Sequence, residues 1–215
     1  ALLAAIAEAQ GHQVEIIDAE VDRIPEGDLV RIVLERHADM LAFSGMSPFF
    51  HLSRNIAGSL KARGEKASIC IGGPHITIKE EEAFDKAFDY GFIGEGEEAW
   101  KIFLHVISNK GPLDSVPGLM YRSGGKICKN KKVSANKNLD VYPRTAYHLL
   151  DMHKYSLGTL KGRLNFSAIQ TVRGCPWECI FCASEKLETT KISKRSIKSV
   201  VDDIEFVTHS YGIKH

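Results

Sequence analysis

Three cysteines, Cys175, Cys179 and Cys182, fall within eight positions of the stretch Arg173-Gly174-Cys175-Pro176-Trp177-Glu178-Cys179-Ile180-Phe181-Cys182. Gaps of three and two residues let three thiolates converge from one loop, and thiolates are the usual ligands of iron–sulfur clusters. Three protein ligands leave one iron of a four-iron cluster without a partner. A site short of one ligand is open to substrate, by the logic that separates catalytic from structural metal sites. The alternative is a structural zinc site with a distant fourth ligand such as His153 or His209. Zinc sites more often pair two C-x2-C elements, and this sequence has one. Five cysteines are too few for a disulfide scaffold, and their crowding reads as metal ligation in a reducing compartment. Of the other two, Cys70 lies in an apolar run and behaves as a small buried residue, and Cys128 has no assigned role.

A second set of residues sits where short apolar runs end. These are Ser44-Gly45-Met46-Ser47, Ile71-Gly72-Gly73-Pro74-His75 and Gly94-Glu95-Gly96-Glu97. Glycine lets backbone approach a bulky ligand closely, although it is also common in tight turns. His75 is placed to touch a cofactor, with an incidental loop histidine as the plain alternative. Glu95 and Glu97 could hydrogen-bond ligand hydroxyls, and equally suit the first turn of a following helix. Lys126, Lys129, Lys131, Lys132 and Lys137 form a basic run without interleaved aromatics, which reads as a solvated hairpin in preference to a nucleic-acid patch.

The elements that would hold these residues alternate. Helical patterns cover 1–10, ending at Gly11, and 28–37, about 49–63, 80–88 and up to Ser108. Short apolar strands cover Val14–Asp18, Met40–Phe43, Ser68–Ile71 and Tyr90–Ile93. Continuous apolar strands separated by helices imply a parallel sheet covered on both faces. The fold class is α/β, a Rossmann-like doubly wound sheet over residues 1–112, its first strand missing. Ligands of such sheets bind at the carboxyl-end loops. Residues 113–162 read as a hairpin (Val116–Lys132) and a linker. Over 163–215 a strand (Leu164–Val172), the cysteine loop (Arg173–Glu185) and a helix (Ser196–His209) read as the first βα unit of a barrel. That helix carries Ile197, Val200, Val201, Ile204 and Val207 on one stripe, and Gly212 caps it. Trp177 is expected to pack under the cysteine loop and shield it from water.

Composition bounds the function classes. Lys and Arg number 28 against 27 Asp and Glu, a net charge of +1, which gives no electrostatic reason for general nucleic-acid or membrane binding. At 44% hydrophobic and 26% charged, the 215 residues are those of a folded chain rather than a disordered one. No apolar run approaches the ~20 residues of a membrane span. Ala1-Leu2-Leu3-Ala4-Ala5-Ile6 lacks the basic residues of a signal peptide, so a cytoplasmic location is expected. The chain reads as an excerpt of a longer protein.

The spacing Cys175-x3-Cys179-x2-Cys182, with Phe181 before the last cysteine, resembles the signature of radical S-adenosylmethionine enzymes. The segment upstream resembles the cobalamin-binding domains often joined to them, through the three glycine-bearing loops together with Pro117-Gly118-Leu119-Met120-Tyr121-Arg122 and Leu139-Asp140-x-x-Pro143. The resemblance implies that Cys175, Cys179 and Cys182 hold a [4Fe-4S] cluster whose open iron chelates S-adenosylmethionine, with Phe181 beside the adenine. It implies reductive cleavage to a 5′-deoxyadenosyl radical, hydrogen abstraction from a small-molecule substrate, and an electron donor such as flavodoxin or ferredoxin. It further implies that Ser44, Gly45, Ser47, Gly72, Gly73, His75, Gly94, Glu95 and Gly96 line a cobalamin site enclosing the dimethylbenzimidazole tail, and that methylation of an unactivated carbon follows. Two alternatives remain open at this point: radical chemistry without cobalamin, the first domain serving for docking, and a non-catalytic zinc-stabilised binding protein. The D-x-H-x-x-G motif that supplies an axial histidine in some cobalamin domains follows a first strand that is expected to lie before Ala1. Asp151-Met152-His153-Lys154-Tyr155-Ser156 imitates it with Ser for Gly, in the linker, by coincidence.

Overall fold

The computed structural model describes residues 1–132, 136–159, 162–187, 192–213 and 215. Parts of the linker expected around 133–135 and 160–161, and Lys214 of a strand expected at the end, lie outside the described residues. The helices are α1 (Leu2–Glu8), α2 (Glu26–Glu35), α3 (Phe50–Ala62), α4 (Pro74–Lys79), α5 (Glu97–Ser108), α6 (Ser184–Leu187) and α7 (Ile197–Tyr211). The strands are β1 (Met40–Ser44), β2 (Ser68–Gly72), β3 (Tyr90–Phe92), β4 (Leu119–Ser123), β5 (Lys126–Lys129), β6 (Ser156–Thr159), β7 (Gly162–Asn165), β8 (Val172–Arg173) and β9 (Ser193–Lys194). They form two compact units, Ile24–Ser134 with Phe181–Glu188, and Ala1–Arg23 with Ala135–Ile180 and Thr189–His215.

The first of these units is a Rossmann-like α/β sheet in the order β1-β2-β3-β4-β5. β1, β2 and β3 are parallel, with Met40 opposite Ser68 and Cys70 opposite Tyr90. The β4–β5 hairpin then joins antiparallel, Gly91 facing Met120. Among the described strands the order is sequential, and the expected hairpin extends the sheet. The physical reason is that the free edge of β3 offers unpaired backbone groups, which the hairpin satisfies.

Ile69, Cys70 and Ile71 are all fully buried, so β2 is covered on both faces, whereas Ala42 and Ser44 of β1 are exposed. Around them Leu60, Ile76, Phe88, Phe103, Leu119 and Met120 form the core. Truncating either phenylalanine would cost about 3–5 kcal/mol. α5 presents Trp100 and Phe103 to the sheet, with Phe92 and Phe103 edge to face at 5.1 Å. The helix expected over 80–88 is replaced by α4, which starts on Pro74, and a 3-10 turn at Glu80–Glu82. Glu80 at φ +47 ends α4, and the Asp85 carboxylate accepts from the Ala87 amide at 2.8 Å, a local bond that competes with helix.

The second unit has two small cores. Ala4 and Ala5 of α1 pack on Ala146, and Tyr147 and Met152 pack with Val207 and Ile213. Val14–Asp18 is not a strand, because no described strand pairs with it; Asp18 instead accepts hydrogen bonds from the Val21 amide and the Tyr155 hydroxyl. The strand expected over Leu164–Val172 is two pieces, β7 paired antiparallel with β6 and β8 paired antiparallel with β9. In α7 the expected stripe divides: Val207 is buried while Ile197, Val201 and Ile204 are exposed. Buried Asp203 takes the inner face, held by Arg144 at 2.8 Å and Arg195 at 2.7 Å. Gly212 caps α7 at φ +65. Asp151 accepts from the His153 amide and Met152 is buried, so the imitation motif is a turn.

Candidate functional site

The three glycine-bearing loops close adjacent strands of one sheet, and hydrogen bonds lace them together. β1 leads into Gly45, whose amide donates to the Gly72 carbonyl at 2.9 Å, while its own carbonyl accepts from the His75 amide at 3.1 Å. Gly73 has φ +100 and ψ −174, a conformation reserved for glycine. A Cβ there would lie 3.1 Å from both N and O of Gly45 and 3.3 Å from Ser44 Oγ. At Gly45 a Cβ would lie 2.9 Å from Phe50. At the third loop, Gly94 at φ +87 receives its support from buried Thr77, whose Oγ1 accepts the Gly94 amide at 3.1 Å. Ile93 is tied by its amide to the Gly118 carbonyl at 3.0 Å. The residues expected at 44–47, 72–75 and 94–96 are thus gathered at one end of the parallel strands.

His75 is held there at two points of its ring. Its Nδ1 lies 3.0 Å from Ser47 Oγ, and its ring stacks on Phe50 with centroids 4.1 Å apart. Glu97 opens α5 and is buried, as a carboxylate at a helix N-terminus is favoured to be placed. Beside the loops, Met46 (57% exposed), Phe49 (54%) and Leu52 (37%) carry apolar surface into solvent. Glycines at 45, 72, 73 and 94 leave the strand ends without side chains, which fits a large flat ligand lying against backbone. Phe50 and Thr77 went unseen in the sequence, since only the register of the loops gives them their tasks.

On the basic run, Lys129 pairs with Glu80 (2.9 Å) and Glu81 (3.0 Å), and Lys132 with Glu80 (3.0 Å). Hydrogen bonds from Lys129 and then Lys132 hold the Glu80 carboxyl below the usual carboxylate range. Burial, reinforced by Asp89, pushes the Cys70 thiol far up, so this cysteine is inert packing.

In the cysteine loop Cys175 is half-buried and Cys179 and Cys182 are exposed, and none of the five cysteines is in a disulfide. Cys182 Sγ lies 3.1 Å from Ser184 Oγ. The donor set suits an iron–sulfur cluster, but among the described residues no three His, Cys, Asp or Glu side chains are drawn together to hold a metal ion. Trp177 is 73% exposed and Phe181 89%, so Trp177 does not shield the loop from beneath. Ile180 is exposed as well. Phe181–Glu188 belongs to the same compact unit as the sheet, with α6 against α4.

Comparison with known proteins bears on these features. Residues 1–104 match the B12 binding domain family. An uncharacterized methyltransferase of Pyrococcus horikoshii is 27% identical over 205 residues, which is 94% of this chain and 44% of that protein. A hopanoid C-3 methylase of Methylococcus capsulatus is 25% identical over 223 residues, 95% of this chain and 41% of that protein. The chain thus spans less than half the length of these curated relatives. Among solved structures, the radical S-adenosylmethionine methyltransferase TsrM of Kitasatospora setae matches with TM-score 0.80 at 19% identity, over 99% of this chain and 42% of that one. At that identity the likeness is one of fold. TsrM has also been solved with cobalamin and a [4Fe-4S] cluster bound. Among the described residues no helix is long and apolar enough to cross a membrane.

Proposed function

We propose, on the premise that residues 1–104 match the B12 binding domain family, that this chain is part of a cobalamin-dependent radical S-adenosylmethionine enzyme, a methyltransferase acting on an unactivated carbon of a small molecule. The observation that carries the reading is the pairing of a glycine floor at the ends of β1, β2 and β3 with three thiols in eight positions, the last of them in the same compact unit as that floor. In this reading residues 1–112 are the cobalamin domain, 113–162 a hairpin and linker, and 163–215 the opening of the catalytic barrel.

When bound, the cluster would supply one electron to the sulfonium of S-adenosylmethionine and cobalamin a transferable methyl group. The chain's own residues bind and position. Cys175, Cys179 and Cys182 would hold the cluster, with thiolates as the ligating form, and Phe181 would flank the adenine. Ser44, Gly45 and Ser47, then Gly72, Gly73 and His75, then Gly94, Glu95 and Gly96 form the cobalamin floor. The lacing of Gly45 to Gly72 and His75 keeps that floor preorganised, which lowers the ordering cost of binding.

The test is elemental analysis of protein reconstituted without oxygen in the presence of cobalamin. Expected are about four irons and about one cobalt per chain, with iron lost and cobalt kept in Cys179→Ala. Iron without cobalt refutes the cobalamin assignment, and zinc alone, near one per chain, refutes the enzyme reading.

A further inference from the structure

We infer that Asp140 is a positioning residue for the cysteine loop: from the linker it fixes the neck at which the chain enters and leaves that loop, and so steadies the frame that carries the cluster ligands. The inference rests on the proposed cluster site and adds to it a residue outside the ligand set.

All three cysteines lie in the segment between β8 and β9. The neck of that segment is slight, with Val172 opposite Lys194 and Arg173 opposite Ser193. So short a strand pair does not hold itself together in water. Support comes from the linker. The Lys194 amide donates to the Lys137 carbonyl at 3.1 Å, and Asn138 bridges to Lys194 in parallel. Inside the neck the Arg195 amide donates to the Thr171 carbonyl at 3.0 Å. The next amide, that of Ser196, donates to both carboxylate oxygens of Asp140, at 3.1 and 3.0 Å.

The start of α7 shows why an acid is needed there. Ser196 caps the helix, its Oγ accepting from the Ser199 amide at 3.2 Å. In a full capping box the residue at the position of Ser199 is Glu or Gln and accepts from the amide of the cap itself. Ser199 has no such group, and its hydroxyl already accepts from Arg195 at 2.6 Å. Asp140 supplies the missing acceptor from elsewhere in the same compact unit. Its charge suits the positive end of the helix dipole and strengthens the hydrogen bond. Arg195, 2.7 Å from buried Asp203 and 4.0 Å from Asp140, ties the same turn to the inner face of α7. Buried Leu139 anchors the turn that presents Asp140, and the Asn138 side chain accepts the Asp140 amide at 3.0 Å. The Leu139-Asp140-x-x-Pro143 stretch thereby gains a task.

Two rates test this on the 215-residue chain. Hydrogen–deuterium exchange over residues 193–199 reads the neck before any cluster is loaded. Loss of cluster absorbance to an iron chelator reads the reconstituted chain. Wild type is compared with Asp140→Ala, Asp140→Asn and Tyr155→Phe, the last removing a 2.7 Å bond to Asp18 in the same unit while leaving the hydrogen bonds of the neck intact. Loss of a hydrogen bond to a charged group shifts an equilibrium on the order of tenfold. Asp140→Ala should therefore exchange at the neck, and lose iron, each about tenfold faster. Asp140→Asn keeps an acceptor oxygen and should fall between; it carries the comparison if the alanine variant does not fold. Tyr155→Phe should match wild type in both rates. Unchanged exchange in the Asp140 variants, faster exchange without faster iron loss, or equal acceleration in Tyr155→Phe overturns the inference and leaves the cluster site standing. A wild-type chain that takes up no iron overturns the cluster reading itself, and this role with it.

Discussion

Replacing Gly73 by alanine should damage the sheet unit more than its small size suggests, and the structure says by how much. At φ +100 and ψ −174 an L-residue is strained by about 1–3 kcal/mol. The new methyl would then stand 3.1 Å from Gly45 N and O, inside the ~3.5–4.0 Å at which carbon contacts are comfortable. Gly45 cannot simply retreat. Its amide is bonded to the Gly72 carbonyl at 2.9 Å and its carbonyl to the His75 amide at 3.1 Å, so retreat stretches two hydrogen bonds worth roughly 1 kcal/mol each. A loss of about 3 kcal/mol follows, or a fall in melting temperature of ~6–12 °C at ~2–4 °C per kcal/mol. The control is Gly124→Ala in the β4–β5 turn, at φ +56 with nothing within 4 Å of the added methyl, where strain alone costs ~1–2 kcal/mol. Urea unfolding followed by tryptophan fluorescence reads the unit directly. Trp100 is 8% exposed beside Phe92 and Phe103, while Trp177 at 73% changes little on unfolding. If Gly73→Ala proves no less stable than Gly124→Ala, the lacing of the strand-end loops is not as tight as argued.

Asp203→Ala should destabilise on the order of 3 kcal/mol in urea titration, because it strips a carboxylate with 5% side-chain exposure from Arg144 and Arg195 and leaves Arg195, 17% exposed, with Asp140 at 4.0 Å as its remaining counter-charge. By contrast Arg31→Ala, which breaks exposed pairs to Asp28 and Glu35, should change stability by under ~1 kcal/mol. Since Lys129 and then Lys132 depress the folded-state pKa of Glu80, its contribution is fully present above the unfolded carboxylate value of about 4.3 and disappears as pH falls through the lower folded value. Glu80→Gln should flatten the acid limb of the stability–pH curve there, and an unchanged curve refutes the pairing. Alkylation with iodoacetamide, mapped by mass spectrometry, should label exposed Cys179 and Cys182 in the folded protein and spare Cys70 until unfolding, since burial raises the thiol and blocks access. Early labelling of Cys70 would show that β2 is not covered on both faces.

Sequence alone establishes most of the alternation over residues 40–108: strands expected to end at Phe43, Ile71 and Ile93 end at Ser44, Gly72 and Phe92, and helices expected over about 49–63 and up to Ser108 lie at Phe50–Ala62 and Glu97–Ser108. Hydrophobic period and glycine punctuation are local, and the backbone answers them locally. The cysteine spacing is local in the same sense, which is why its chemistry can be read without a fold. What tertiary structure alone decides is pairing. That β4 and β5 extend the sheet antiparallel, that Val14–Asp18 pairs with nothing among the described residues, and that Leu164–Val172 divides between two short antiparallel pairs all depend on which edge is free to accept a strand. The apolar stripe of α7 divides for a related reason, since two arginines from elsewhere in its unit draw Asp203 inward and rotate Ile197 and Ile204 to solvent. The same holds for the site. Its glycines are legible one by one, but the stack of Phe50 under His75 and the collision awaiting any side chain at Gly73 arise only when separate loops meet, because contacts between residues distant in sequence are set by packing and not by pattern.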